Sequence, residues 1–348
     1  MIHTMRNYRG FMFMGSKQTD QMPAYAYYMD NIKLILIFLV VFNHMIAFQL
    51  IGENVAAEYI YYGIFVFHMP VFIFVSGYLS QKKQDTLKNT TRMMIPYIFG
   101  YTLTWLSYMA IEEPIPYQLL RPSNSAMWYL LALLAYRLII EALGQVRFIV
   151  AIGILVGLWA GTEPNFTTFL SLSRIVVFFP FFVAGYLWKP EYTEKLRRMK
   201  GKWILLVSAL LLLYLLPNYL IQNDFSVAIL RGNAGYEACG LPNNLGIGIR
   251  LLTYLICFIL IFALIAIVPD RKFPITFAGK NTMATFILHY PVLILMNGFG
   301  VLALSQFMNL GVCALVSLAM VFLMGSEPIA FVYNKLMELL EGLVFKRT

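Results

Sequence analysis

The chain is dominated by long apolar stretches separated by short polar segments, and this pattern limits its fold more than any other feature. Charged residues make up 12% of its 348 residues, whereas a water-soluble domain usually contains about 25%. A helix that crosses a bilayer needs about 20 mainly apolar residues, and no stretch shows the two-residue alternation of a membrane β-barrel. We therefore predict an all-α fold, a polytopic membrane helical bundle of about ten transmembrane helices. The predicted spans lie near residues 31–51, 60–80, 93–111, 126–142, 147–161, 174–188, 203–221, 247–268, 277–297 and 301–324.

The basic residues support this layout because they concentrate on one side of it. If the N-terminus is cytoplasmic, all but four of the 26 lysines and arginines fall in tails, inner loops and inner helix ends, as the positive-inside rule requires. Ten spans with both termini in the cytoplasm therefore explain where the basic residues behind the net charge of +9 lie. Because these residues are dispersed among short inner loops at the membrane, we exclude nucleic-acid binding. The four exceptions are Arg121, Arg174, Arg231 and Arg250.

The layout divides the chain into three parts. Residues 1–29 lack the apolar core and cleavage site of a signal peptide, so we predict a cytoplasmic tail. Residues 30–325 form the predicted transmembrane domain, whose longest outer loop, Gln222–Gly246, is a candidate for recognition of a ligand. Residues 326–348 are predicted to form a cytoplasmic amphipathic helix, because apolar and charged residues alternate at helical spacing over Glu327–Phe345.

Three of the four histidines lie inside predicted spans, where a polar side chain is costly and indicates a function by default. His44, His68 and His289 are each about 12 to 13 residues from the inner end of their span. At 1.5 Å per residue they lie about 18–20 Å from the cytoplasmic face. A single histidine is more often satisfied by a hydrogen bond between helices, but three at one depth predict a shared polar chamber.

Lys33 extends this hypothesis to the cytoplasmic mouth of the first span. It precedes His44 by eleven residues, which is about three full helical turns, so the two side chains lie on nearly the same face of the helix. The two alternatives are an ion pair with Asp30, three residues earlier, and a lysine that only anchors the helix end at the interface.

Two further segments carry unusual residues at membrane depth. The second span holds Ser76 and Gly77 before a basic loop, and small residues of this kind allow helices to approach closely. The ninth span places Thr282, Thr285 and His289 on one face and continues with Tyr290 and a proline. Nucleotide-phosphate and hydrolase signatures are absent, and the three cysteines are too widely spaced for a metal site.

Taken together, six segments resemble the acyltransferase-3 family of membrane O-acyltransferases, in particular its fucose 4-O-acetylase-like branch. The first-span pattern of the family, an arginine and a histidine separated by ten residues, corresponds to Lys33 and His44, preceded by Asp30 and Asn31. Lysine keeps the charge of the family's arginine but loses its two-pronged fork. The other matching segments are Phe65–Tyr78 (FVFHMPVFIFVSGY), Arg92–Tyr97 (RMMIPY), Met127–Ala132 (MWYLLA), Phe181–Tyr186 (FFVAGY) and Gly279–Val292 (GKNTMATFILHYPV).

The resemblance implies a multi-pass enzyme of the cell membrane, in a bacterium the inner or cytoplasmic membrane, that transfers an acyl group. The donor is usually acetyl-CoA, which acts as a co-substrate, so that no bound cofactor and no metal are expected. The acceptor is a hydroxyl of a carbohydrate or lipid-linked glycan. Candidate catalytic residues are His44, His68 and His289, with His44 as general base or acyl carrier. Residues expected to meet the phosphates of CoA are Lys33, Lys82, Lys83, Arg92 and Lys280, and those expected to bind substrate are Asp30, Asn31, Ser76 and Tyr290.

Two other functions remain open from the sequence. A proton-coupled transporter would also place histidines near the middle of the membrane, although the polar residues concentrate in the first, second and ninth spans rather than in paired halves. A scaffold or assembly protein gives no reason for three histidines at one depth.

Overall fold

The computed structural model describes residues 24–81, 91–122, 126–164, 169–301 and 309–345, and these form α-helices and connecting turns without a β-strand. The helices are α1 (Ala24–Gln49), α2 (Val55–Leu79), α3 (Met94–Ala110), α4 (Trp128–Leu143), α5 (Ile149–Ala160), α6 (Leu172–Tyr186), α7 (Pro190–Arg198), α8 (Lys202–Gln222), α9 (Ala228–Arg231), α10 (Asn243–Ile267), α11 (Thr276–Lys280), α12 (Thr282–Gly298), α13 (Leu310–Met324) and α14 (Glu327–Val344).

A helix lies at each of the ten predicted spans, which confirms the all-α class. Five of the described helices, α1, α2, α6 with its preceding turn, α8 and α10, are long and apolar enough to cross a membrane. The pair α13 and α14, bent by 57° at its break, is a sixth candidate if it counts as one span. Helices α5 and α12 are apolar but shorter, and α3 and α4 have 17 and 16 residues.

Helix α1 lies at the centre of the bundle. Its side chains are buried on several faces, with Leu36, Ile37, Val41 and Met45 fully enclosed. A helix that is apolar all round is expected in such a position. It packs against α2, α11, α12 and α13, so residues on different faces of α1 contact different helices.

Helices α2 and α6 meet through two glycines. A Cβ atom added to Gly77 would overlap the backbone carbonyl of Phe182, and one added to Gly185 would overlap that of Phe74, in both cases at less than 3.0 Å. The two backbones are therefore in direct contact, as small residues allow in membrane helices. This contact explains the glycine in each of the segments FVSGY and FFVAGY.

A proline in α2 releases a carbonyl group that a cysteine satisfies. Pro70 has no N–H to bond the carbonyl of Val66 four residues earlier. The thiol of Cys257 in α10 donates to this carbonyl oxygen, with an S–O distance of 2.9 Å. The buried cysteine thus joins α10 to α2.

The predicted amphipathic segment at the end of the chain is the helix α14. Phe331, Leu339 and Leu343 are exposed on it, whereas Tyr333 and Met337 are buried against the bundle. It lies at the end of the bundle where α1 and α3 begin, near the side chains of Arg92 and Lys280.

The connection between α8 and α10 is folded onto the opposite end of the bundle. Tyr236 is fully buried, and its hydroxyl donates to the carbonyl of Leu158 over 2.8 Å. The hydroxyl of Ser173 donates to the carbonyl of Gly232. The first bond ties the connection to α5 and the second ties the end of α9 to α6, while the guanidinium of Arg231 donates to the hydroxyl of Tyr61 in α2.

Candidate functional site

A cavity of about 300 Å³ lies between α1, α2, α6 and α12, near the end of the bundle covered by α9. Its volume is at the lower end of the range of about 300–1,000 Å³ for ligand pockets. The wall combines aromatic rings with two histidines and two arginines. The lining residues are Val40, His44, Ala47, Phe48, Tyr61, Phe65, His68, Met69, Tyr108, Ala126, Trp128, Arg174, Phe178, Leu230, Arg231, Phe286 and Tyr290.

The structure brings the three predicted histidines together. His44 and His68 both line the cavity. The ring centroid of His289, which is fully buried, lies 5.3 Å from that of His44. Tyr290 meets the ring of His44 edge-on at 4.9 Å, so α12 supports His44 through two neighbouring rings.

Backbone carbonyls fix the tautomers of two histidines. Nδ1 of His68 lies 2.6 Å from the carbonyl oxygen of Ile64, and Nδ1 of His289 lies 2.8 Å from that of Phe286. A carbonyl oxygen only accepts, so Nδ1 carries the proton and Nε2 of a neutral ring carries the lone pair. Nε2 of His289 is buried and has no hydrogen-bond partner among the described atoms.

The convergence does not arise from equal positions within the helices. His44 is 20 residues from the start of α1, His68 is 11 from the end of α2 and His289 is 7 from the start of α12. Helix α1 begins earlier than its predicted span, and the ninth predicted span is broken at Asn281 into α11 and α12. Because of this break, α12 begins only at Thr282, so His289 is closer to the start of its helix than His44 is to the start of α1.

Two arginines of the cavity were not among the predicted site residues. Arg174 is in the first turn of α6 and is 9% exposed. Arg231 ends α9, and its guanidinium donates to the hydroxyl of Tyr61. Both are among the four exceptions to the charge asymmetry, and that departure is the sequence signal that singles them out as candidates, although the other two exceptions, Arg121 and Arg250, do not line the cavity.

Lys33, expected at the entrance of the site, and Asp30 and Asn31, expected to bind substrate, form contacts at the opposite end of the bundle. The ammonium of Lys33 lies 2.7 Å from the carboxylate of Asp30, which is the ion pair considered as the alternative. The amide of Asn31 donates to the carbonyl oxygens of Pro269 and Arg271 and accepts from the hydroxyl of Thr276. Asn31 thus holds the segment between α10 and α11, and none of the three lines the cavity.

The other predicted basic residues are also distant from the cavity. Arg92 lies 3.8 Å from the carboxylate of Glu341, and Lys280 lies 3.7 Å from that of Glu327. Both carboxylates belong to α14. Lys82 and Lys83 lie outside the described residues.

The remaining two predicted residues differ in their positions. Tyr290 lines the cavity, whereas Ser76 lies deeper between helices. The hydroxyl of Ser76 is 2.6 Å from that of Tyr129 and donates to the carbonyl of Phe72. Ser76 therefore links α2 to α4. Within the described part of the chain, no three His, Cys, Asp or Glu side chains are grouped to hold a metal.

Comparison with known proteins identifies a family model that matches this chain. The acyltransferase domain of the acyltransferase-3 type matches residues 26–326, which is most of the chain. Searches of curated proteins and of solved structures found no match.

Proposed function

The chain belongs to the acyltransferase-3 family of membrane acyltransferases, and from this premise we propose that it moves an acyl group, acetyl in the first instance, from acyl-CoA to a hydroxyl of a carbohydrate or cell-envelope glycan. The observation that carries the proposal is the cavity in which His44 and His68 meet the aromatic wall. Imidazole is suited to accept a hydroxyl proton at neutral pH.

The proposed transfer requires one base and a route for one proton. His44 takes the proton of the acceptor hydroxyl while its oxygen attacks the thioester carbonyl. The carbon–sulfur bond then breaks, and the imidazolium of His44 returns the proton to the leaving thiolate of CoA. His68 presents the lone pair of Nε2 to the same cavity, and His289 and Tyr290 hold the His44 ring in position.

The donor is proposed to approach from the end of the bundle where α1 begins. Lys33, Arg92 and Lys280 lie at this end, each beside a carboxylate that a stronger anion would displace. Lys33 is about 16 Å from His44 along the helix axis, a distance comparable with the pantetheine arm. The cavity volume of about 300 Å³ suits the acyl group and acceptor, with the nucleotide outside.

Replacing Lys33 by methionine is expected to raise the KM for acetyl-CoA about tenfold while kcat changes little. A charge-assisted hydrogen bond to a phosphate contributes about 1.5–3 kcal/mol, and about 1.4 kcal/mol corresponds to a factor of ten. The measurement is transfer of labelled acetyl groups in membranes over a range of acetyl-CoA concentrations.

The matched control for Lys33 is its partner Asp30. Asp30→Asn removes the ion pair but keeps the cation, so the KM for acetyl-CoA should remain close to that of the wild type. Equal KM values for Lys33→Met and the wild type would assign Lys33 to anchoring of the helix end.

We also propose ten spans with both termini in the cytoplasm, which a cysteine-labelling experiment tests. The three natural cysteines are buried, and burial raises the pKa of the Cys239 thiol to about 11, so little reactive thiolate forms at neutral pH. The wild type is therefore expected to label weakly with a membrane-impermeant maleimide. Asn223→Cys, in the exposed connection after α8, should label on intact cells, and Glu194→Cys, on α7, only after permeabilisation.

Labelling of Glu194→Cys on intact cells would reverse the proposed orientation. Labelling of both variants from one side would change the number of spans between them. The two positions are exposed, so each variant should fold as the wild type does.

The proposed reaction itself is tested by mass spectrometry of cell-envelope and secreted glycans with and without this protein. Loss of an acyl mass from one glycan in the deletion strain, restored by the wild-type chain, is the expected result. Unchanged acylation together with uptake of a labelled solute by proteoliposomes would instead favour a transporter, which no contact among the described residues supports.

A further inference from the structure

Two arginines line the same cavity as the proposed base. Arg174 comes from α6 and Arg231 from α9, and both line the cavity together with His44 and His68. They lie near the outer end of the proposed bundle, whereas the lysines proposed for the donor lie at the other end. The two sets of cations therefore belong to different ligands or to distant parts of one ligand.

The charge of these arginines is not balanced by a carboxylate in the cavity. None of the lining residues that the structure describes is acidic. Arg174 is 9% exposed, and Nε of both arginines has no hydrogen-bond partner among the described atoms. A buried cation without a counter-charge is costly unless a ligand supplies one.

An aromatic ring lies beside each guanidinium group. The guanidinium carbon of Arg174 lies 4.8 Å from the ring centroid of Trp128, and that of Arg231 lies 4.8 Å from that of Phe65. A cation–π contact of this kind leaves the N–H groups of a guanidinium able to form hydrogen bonds, and in Arg231 one of them already donates to the hydroxyl of Tyr61. The unpartnered Nε–H is one half of the side-on fork that binds carboxylate and phosphate.

We infer that Arg174 and Arg231 form a subsite for an anionic group on the acceptor, a carboxylate or a phosphate, so that the enzyme modifies an acidic glycan rather than a neutral one. This inference rests on the proposed function for the identity of the ligand as an acceptor. The anion occupies the two forks, and a hydroxyl of the same sugar unit then faces His44 across the cavity. The aromatic side chains of Tyr61, Phe65 and Trp128 beside the arginines lower the local dielectric, which strengthens the ion pairs.

Trp128 gives a readout of anion binding that does not depend on acyl transfer. Because its ring stacks on Arg174, a bound anion should change its fluorescence. Purified wild-type protein is titrated with D-glucuronate, with glucose 1-phosphate and with glucose as the neutral match. We expect a saturable change with at least one of the two anions and none with glucose. Trp128→Phe should remove the signal.

The variants test whether the two arginines form the subsite. Arg174→Gln and Arg231→Gln are each expected to weaken binding of the anion about tenfold or more, since each removes charge-assisted hydrogen bonds. Arg174→Lys should recover part of the affinity. Arg147→Gln removes an exposed arginine outside the cavity and should bind as the wild type does. The thermal unfolding midpoint in detergent identifies any variant that has lost its fold.

The outcomes separate this inference from the proposed function. If the anion binds through both arginines but no acetyl group is transferred to any glycan, the proposed function fails and the subsite remains. If acetyl transfer occurs with equal efficiency to neutral sugars in the wild type and both glutamine variants, the subsite inference is overturned. It is also overturned if the anions bind no better than glucose, or if the variants raise the KM for acetyl-CoA and not that for the acceptor. Glucuronate and glucose 1-phosphate distinguish a carboxylate acceptor from a phosphate one.

Discussion

His44→Ala is expected to lower acyl transfer by about 10²–10⁴-fold, the range contributed by a general base. The imidazole lies in the cavity wall, and its ring is supported by those of His289 and Tyr290. Alanine removes the group proposed to accept the hydroxyl proton and leaves a space in a cavity that already exists. The measurement is transfer of labelled acetyl groups in membranes containing equal amounts of wild type and variant.

Chemical rescue distinguishes a lost base from a damaged fold. Free imidazole fits the space left by the missing ring, so adding it should restore part of the transfer by His44→Ala. His289→Ala is the matched comparison, because its ring is buried behind His44 and outside the cavity lining. It should reduce transfer by loosening His44, and imidazole in solution should restore less of it. Near-normal transfer by His44→Ala without imidazole would remove His44 from the mechanism.

Gly185→Val and Gly77→Val are expected to prevent accumulation of folded protein. The atoms that a new side chain would meet belong to the backbone of the opposite helix, which cannot turn away as a flexible side chain can. Overpacking of a core costs about 1–3 kcal/mol and sometimes more, and here the two helices would have to separate along their whole contact. The amount of protein extracted in monodisperse form by mild detergent gives the measurement.

A glycine elsewhere in the same chain provides the control. Gly342 lies in α14, and a Cβ at this position meets nothing within 4 Å. Gly342→Ala should therefore be neutral or raise the free energy of unfolding by up to about 1 kcal/mol, because alanine favours a helix. If Gly185→Val yields as much folded protein as Gly342→Ala, the close contact between α2 and α6 is wrong.

The positions of the helices could be predicted from the sequence because hydropathy is a local property. A stretch of apolar residues forms a helix in a membrane whatever its neighbours are. The break at Asn281 was not predicted, since it depends on how the segment packs. Its amide donates to the carbonyl of Gly325, and Gly279 lies directly against the backbone of Asp30.

The site was predictable in part for a different reason. Histidines are rare in membrane helices, so the sequence singles out His44, His68 and His289 individually, but only the fold shows that the rings of His44 and His289 are in contact and that His68 lines the same cavity as His44. The charge asymmetry singles out Arg174 and Arg231 as exceptions on the outer side, but it does not show that both line the same cavity. Conversely, Asp30 and Asn31 stood out as polar, yet their contacts are those of a helix end and its neighbouring loop.

The motif residues of the family also have a structural meaning that the motifs do not reveal. Gly77 and Gly185 allow two backbones to touch, and Ser76 joins α2 to Tyr129 of α4. Trp128, in the segment MWYLLA, lies under the guanidinium of Arg174. Several residues that mark the family thus hold the walls around the histidines, rather than reacting.

The residues that line the cavity come both from long packed helices and from the connection between α8 and α10. This difference determines which of them can change readily during evolution. His44 and His68 lie in long helices that pack against several neighbours. Leu230 and Arg231 belong to the short helix α9, within the connection between α8 and α10. Connections tolerate insertion and replacement better than the helices they join. Ligand preference can therefore drift by exchange of the segment between α8 and α10 while the reaction chemistry is inherited unchanged. In an engineering setting, that segment is the part to transplant between relatives.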